Sequence, residues 1–438
     1  MRMWLNNGRR ISRITLLLAG GMLLCACEAS VGPRFTGLDS KLDGGGIVVA
    51  DEPRAVLIAQ EVLENGGSAA DAAVALGFGL SVTLQSSAGL GGGGLCLVYD
   101  ALKGRADMLD FTPVAAVGRQ PTAKWQVAVP ALARGLYALH AEHGRLPWQQ
   151  VVVPAENLVR SGNAVSRAFA VQLARSSTTL ANDPNALDIF MTSQRVMAAE
   201  GDRIDQPDLA VTLSHIRAGA QSDFYSGNLG RSIEFGAEKS GASLSVVDLS
   251  VYLPRWTPAE SKEIGSIEYY RAVAFGTDEA MTRSATPDAS SATGFLVADS
   301  GRNVVACALT MLTPFGVGLM PPGLGFLLAP TPDDPSYFAP PLIAGIAIDR
   351  RTRDVHYAAA SGGAGVINQI DASVRGVTSG QAQFKASFGL PIDSVEEVER
   401  GQINAMSCED GLKSGLEFCA VRHDPNGHGF GTIIVGIP

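Results

Sequence analysis

The stretch from Ser68 to Ser81 carries a single charge, Asp71, among alanines, glycines and aliphatic residues. At helical spacing such a run has no polar face, and a helix that is apolar all round has to be buried on every side. Whatever this chain folds into must therefore wrap layers around that segment. The preceding residues predict a strand, Gly46 to Ala50, and then a helix opened by Asp51-Glu52-Pro53. Asp51 suits the N-cap and Pro53 the first turn, where its missing N–H leaves nothing unpaired. Val56, Ile58, Ala59, Val62 and Leu63 follow the helical period, and Gly66-Gly67 end it.

Further along, strands are predicted at Leu95 to Asp100 and Ala106 to Phe111. Helices follow at Ala131 to His143, Trp148 to Ser161, Ser166 to Leu180 and Pro207 to Ala218. A strand is expected near Tyr269 to Phe275. After about residue 290 the texture becomes short β segments with tight turns: Gly294 to Asp299, Asn303 to Thr310, Leu342 to Asp349, Val355 to Ala360 and a closing Ile433 to Ile437. Helices laid over two facing sheets, an α+β layered architecture, satisfy this order. The net charge of -9 argues against nucleic acid as a partner, because a phosphate binder needs a basic face.

The first 27 residues read as a targeting segment. Arg2, Arg9, Arg10 and Arg13 precede an apolar run from Ile14 to Leu24, too short for a mature membrane span. The run ends in Leu24-Cys25-Ala26-Cys27, which looks like a bacterial lipobox with Cys27 as the lipidated residue. Residues 28–45 then read as a tether, and the expected location is the cell envelope, lipid-anchored and facing the periplasm. Export favours disulfides. Cys408 and Cys419 flank a hairpin, Asn404 to Cys408 with Glu417 to Val421, and a cross-strand bridge is expected there. Cys96 and Cys307 lie in apolar runs and are expected to be buried thiols. No CxxC, HExxH or clustered His/Cys spacing occurs, so neither a metal nor another cofactor is expected.

Several segments, in the same order, resemble the gamma-glutamyltransferase family. Asn65-Gly66-Gly67-Ser68-Ala69-Ala70-Asp71-Ala72-Ala73 looks like its GGNAVDAAVA helix start, and Ser86 through Gly94 like its SSGIGGGG loop. Asp110-Phe111 sits at its DFRE-type strand end. Val129-Pro130 through Leu136 and His143 through Trp148 resemble its VPG, GL and LPW stretch. Gln206-Pro207-Asp208-Leu209, Phe224-Tyr225-Ser226-Gly227, Phe315 through Gly318, Gly323 through Leu328 and Ser361-Gly362-Gly363 complete the likeness. It spans residues 46–438, with 46–291 similar to the large subunit and 292–438 to the small one.

The resemblance implies a four-layer αββα N-terminal-nucleophile hydrolase. In that family the precursor cuts itself before a Thr, whose hydroxyl then attacks a γ-glutamyl amide with its own freed amine as base. Counted back along the strand from Asn303 and Asp299, the family's nucleophile falls on Ala292, which has no hydroxyl. The clamping Arg falls on Thr112, a substrate-contacting Asn on Leu312, a Gln on Thr331, and paired serines on Pro340-Pro341. Thr112 cannot make a bidentate charged contact with a carboxylate. What the resemblance retains is Thr310 to hydrogen-bond the nucleophile, Asp334 to hold the substrate's α-amine, and Gly362-Gly363 as the oxyanion pair. Ser290, Ser291 and Thr293 flank Ala292. Strand alternation turns Ser291 and Thr293 away from the site unless a bulge intervenes.

A long helical block that the family has before this strand is reduced here to Gly276 through Ser291, a polar loop with Asp278, Glu279 and Asp288. The implied protein is a family member that is inactive, with a small γ-glutamyl compound or peptide as its ligand. The alternatives are an amidohydrolase using Thr293 or a neighbouring serine, and an amino-acid or peptide binding lipoprotein.

Overall fold

The computed structural model describes residues 45–118, 120–275, 291–337, 339–378, 402–424 and 428–435. Cys27, the tether up to residue 44, Ser290, and Asp278, Glu279 and Asp288 lie outside the described residues.

Helices α1 (Pro53–Glu64), α2 (Ala69–Thr83) and α3 (Gln85–Ala88) follow strand β1 (Gly46–Ala50). Next come β2 (Gly93–Asp100), β3 (Arg105–Phe111) and the small pair β4 (Val114–Ala115) and β5 (Ala128–Val129). The helical region contains α4 (Leu132–His143), α5 (Trp148–Ser161), α6 (Arg167–Arg175), α7 (Ser177–Leu180) and α8 (Pro184–Ile189), then α9 (Pro207–Ser226), α10 (Asn228–Lys239) and α11 (Val246–Val251). Within it β6 (Asn163–Ala164) pairs with β7 (Arg203–Ile204). Strands β8 (Arg255–Pro258), β9 (Glu260–Ile264), β10 (Ile267–Ala274), β11 (Ala292–Asp299), β12 (Val304–Thr310), β13 (Leu342–Asp349) and β14 (Val355–Gly362) follow. Helix α12 (Val366–Thr378) and strands β15 (Gln402–Cys408), β16 (Cys419–Arg422) and β17 (Phe430–Ile434) complete the chain.

Two antiparallel sheets carry the structure. One has the order β17-β1-β11-β12-β2-β3-β8, the other β16-β15-β14-β13-β10-β9. Three apolar clusters define the layers between and outside them. The largest joins α1, α2, α4, α5 and α9 to the odd-numbered side chains of β11, Phe295 and Val297. The second lies between the sheets and takes the even-numbered ones, Ala292, Leu296 and Ala298, with Leu342, Ala358 and Ala360 opposite. The third puts Val366, Ile370 and Val374 of α12 on the outer face of β13 and β14. The order helix, sheet, sheet, helix is the four-layer αββα N-terminal-nucleophile hydrolase fold.

Every residue of α2 is buried, as its composition demands. Ser68 and Asp71 form a reciprocal capping box at its start, closing two backbone donors that would otherwise be stranded in the core. Asp71 Oδ2 also accepts from the backbone N–H groups of Arg145 and Leu146, at 2.9 and 3.1 Å, fixing the entry to α5.

Two expectations are corrected. Glu52, not Asp51, caps α1: its side chain accepts from Ala55 N at 2.9 Å while Asp51 points into the sheet layers. Cys96 and Cys307 are not free thiols but a disulfide, joining directly opposed residues of β2 and β12. The expected bridge between Cys408 and Cys419 is present, across the β15–β16 pair. Smaller differences concern helices. The segment from Ser166 to Leu180 breaks at Ser176 into α6 and α7, and α9 runs on to Ser226.

Candidate active site

The β11–β12 register runs without a shift from Ala292↔Thr310 to Ala298↔Val304. With no bulge to reverse the alternation, Ala292 faces the space between the sheets and the Thr293 side chain leaves the strand on its other side. Gly362, the last residue of β14, lies directly against Ala292; a Cβ on Gly362 would collide with the Ala292 methyl. Here glycine is required by close approach. Gly294 is similar, since a Cβ there would run into the Ala360 carbonyl of the facing sheet.

Thr310 is fully buried on the same face as Ala292. Its hydroxyl donates to the Ser291 carbonyl at 2.8 Å and accepts from Leu312 N at 2.8 Å. The Ser291 carbonyl also accepts from Met311 N at 3.0 Å, so two donors converge on the carbonyl that precedes Ala292. Leu312 follows with φ 65°, the left-handed region that an aliphatic side chain rarely occupies. Gly363, at φ 120°, donates its N–H to Pro341 O at 2.9 Å. That donor is already engaged by the chain itself.

The remaining positions are engaged locally. Thr112 caps Asp110, donating its hydroxyl at 2.8 Å and its N–H at 3.0 Å to the same Oδ1. Arg255 pairs with the other oxygen of Asp110 at 3.1 Å. Asp334 is half-buried and accepts from Ser336 N at 2.9 Å within its own turn. Thr331 donates to Asp333 at 2.6 Å. The structure thus brings Ala292, Thr310 and Gly362 together, while the side-chain hydrogen bonds described for Thr112 and Asp334 stay within their own turns.

Where β1 ends beside β11, and reaching across to β15 of the second sheet, stands a polar cluster. Thr293 donates to Asp51 Oδ2 at 2.7 Å, and Asn404 of β15 donates to Asp51 Oδ1 and to Gly294 O, each at 2.7 Å. Burial is the largest influence on the Asp51 carboxyl and pushes it up to about 6, against those hydrogen bonds. Burial likewise raises the neighbouring Glu52. Among the described residues no group of three or more His, Cys, Asp or Glu side chains is placed to hold a metal ion.

Comparison with known proteins matches residues 55–273 to the sequence profile of gamma-glutamyltranspeptidase, half of the chain. The chain belongs to the gamma-glutamyltranspeptidase family. It is 30% identical over 217 residues to glutathione hydrolase 2 of Arabidopsis thaliana, covering 47% of this chain and 37% of that relative. It is 27% identical over 277 residues to the glutathione hydrolase proenzyme of Bacillus subtilis, covering 58% and 47%. The chain therefore spans less than half the length of these curated relatives. A cephalosporin acylase structure from Bacillus halodurans superposes with TM-score 0.68 at 16% identity, covering 89% of this chain and 95% of that one. At that identity the likeness concerns the fold. It nevertheless extends past residue 273, where the match to the gamma-glutamyltranspeptidase profile ends, into the half that carries β11.

Proposed function

We propose that this chain is a gamma-glutamyltranspeptidase-family protein that neither cuts itself nor turns over γ-glutamyl substrates, and that it is held at the cell envelope by a lipid on Cys27. The observation that carries the reading is Ala292, a methyl group facing the inter-sheet space at the start of the strand, against Gly362 and opposite Thr310. Attack on an amide needs a hydroxyl or thiol beside a base, and a methyl supplies neither. The engaged Gly363 N–H supports the same reading, because an oxyanion donor must be free to meet the developing charge. So does Thr112, which caps Asp110 where a bidentate guanidinium clamp is implied. The ligand that fits this reading is a small γ-glutamyl compound or peptide, retained without reaction. The two disulfides support the envelope location, since such bonds persist in oxidising compartments.

The test is hydrolysis of a γ-glutamyl anilide by the purified mature chain, with intact mass measured on the same sample. One uncut chain and no turnover above blank is expected. A second reading is favoured by one contact, the Thr293 hydroxyl at 2.7 Å from a carboxylate of raised proton affinity. Against it, Thr293 is 1% exposed and its side chain leaves β11 on the side opposite Ala292. Turnover abolished by Thr293→Ala, or a fragment beginning at Thr293, would promote that reading and overturn the first.

A further inference from the structure

Asp51 is a buried carboxyl with no ion pair among the described residues. Both oxygens accept from neutral donors, Thr293 on β11 and Asn404 on β15, and no Lys, Arg or His side chain among the described residues bonds to it. Glu52 follows in the chain but turns into the start of α1, where Arg54 also lies and donates to Asn163. The segment after β16 packs over Asp51: a Cβ on Gly429 would stand 3.2 Å from the Asp51 Cα. That segment carries His423, whose ring is directed to the Asp424 carbonyl, then Asp424 and His428. Asp424 bears on Asp51 with like charge. An ionised carboxylate in this place is expensive, because burial removes its hydration and no cationic side chain among the described residues bonds to it in return.

The neutral acid avoids that cost and keeps the contacts, since the Thr293 hydroxyl accepts as readily as it donates. The geometry matters because of what the contacts join. Asp51 immediately follows β1 of the first sheet and Thr293 lies on β11 of that sheet. Asn404 belongs to the second sheet and also reaches Gly294 O, where the sheets approach too closely to admit a Cβ. We propose that Asp51 is a proton-linked fastener between the two sheets: as the neutral acid it seals the junction of β1, β11 and β15, and its ionisation loosens that junction. The device does not depend on whether the chain turns over substrate.

The sign follows from linkage. The folded-state value, about 6, stands above the ordinary 3.8. The stabilisation is therefore complete below the ordinary value and is lost as pH rises through about 6. Over about pH 5 to about pH 8 this amounts to roughly a tenfold fall in the folding constant from this one group. Denaturant unfolding of the full mature chain and of Asp51→Asn across that range provides the test. The native chain should lose about tenfold more of its folding constant than the variant, and the variant should be at least as stable at the alkaline end. Parallel pH profiles would overturn the proposal. Should Asp51→Asn not fold, infrared difference spectra of the native chain labelled with 13C-aspartate decide the matter. A neutral-acid band that disappears near pH 6 is expected; full ionisation already at pH 5 would refute it.

Discussion

Replacing Ala292 by Thr separates two activities that depend on different parts of this site. Self-cleavage needs a hydroxyl at residue 292, an activated Ser291 carbonyl and room for a tetrahedral carbon. The carbonyl already accepts from Thr310 Oγ1 at 2.8 Å and Met311 N at 3.0 Å. Of these, Met311 extends the ordinary β11–β12 ladder, whereas the Thr310 hydroxyl is an added donor. Gly362, having no side chain, lets its backbone approach residue 292 closely, and no side chain from β14 blocks it there. In Ala292→Thr the new hydroxyl oxygen adds to the Ser291 carbonyl carbon, the C–N bond breaks, and an ester forms while the hydroxyl proton ends on the freed amine. Water then hydrolyses the ester. Loss of one preorganised oxyanion donor slows such steps by about 100- to 1,000-fold, so Ala292→Thr/Thr310→Val should cut at least about 100-fold more slowly. Intact mass and N-terminal sequencing over days read the outcome: a new terminus at residue 292, formed fast in the single variant and slowly in the double. γ-Glutamyl anilide turnover should stay at blank in both, because Thr112, Leu312 and Pro340-Pro341 leave the substrate unclamped. A folded Ala292→Thr that stays intact would show that the Ser291 carbonyl is not activated. Equal rates with and without Thr310 would remove that residue from the step.

Two further outcomes are expected. On the chain-entropy estimate, a bridge across the 211-residue separation of Cys96 and Cys307 stabilises by about 5 kcal/mol, and one across the 11-residue separation of Cys408 and Cys419 by about 3 kcal/mol. Paired Cys→Ala substitutions, measured by denaturant unfolding under non-reducing conditions, should rank in that order; a reversed ranking would show that strain or residual structure, not loop closure, dominates. Cys27→Ser should move the protein from the membrane to the soluble fraction, and an unchanged membrane fraction would refute the anchor.

The parts of the fold legible in the sequence are those fixed by local chemistry. The all-apolar run of α2 could only be buried, and its capping box is written in Ser68 and Asp71. Alternation along β11 was readable too, and with it the opposite orientations of Ala292 and Thr293. What was not legible depends on strand neighbours far apart in the chain. Cys96 and Cys307 pair because β12 is inserted beside β2, a fact of sheet order that neither apolar run signals. Asp51 shows the same limit in miniature. Asp-Glu-Pro offers two acidic caps in succession, and which one turns into the helix depends on what waits for the other. Here it is Thr293, 242 residues away, and Asn404, 353 away.

The site divides along the same line. Register counting puts the implied nucleophile on Ala292, and β11 pairs β12 there without a shift. The state of the donors around it does not follow from sequence. Gly363 retains the residue type of an oxyanion donor, yet its N–H is engaged by Pro341, one of the two prolines standing where the resemblance implies serines. A backbone N–H is present at every non-proline residue, so residue identity cannot say whether it is free. The Ser291 carbonyl carries the converse lesson, since nothing about its own side chain marks it, yet Thr310 and Met311 converge on it. On the function proposed above, the half of the site that would bind and stabilise a substrate is closed or replaced, while two donors still converge on the carbonyl before residue 292. These two halves need not decay together. The donors on the Ser291 carbonyl also hold the start of β11 to β12, so stability alone is a reason to keep them. An oxyanion donor for an external substrate has no such second role, and Pro341 has taken it.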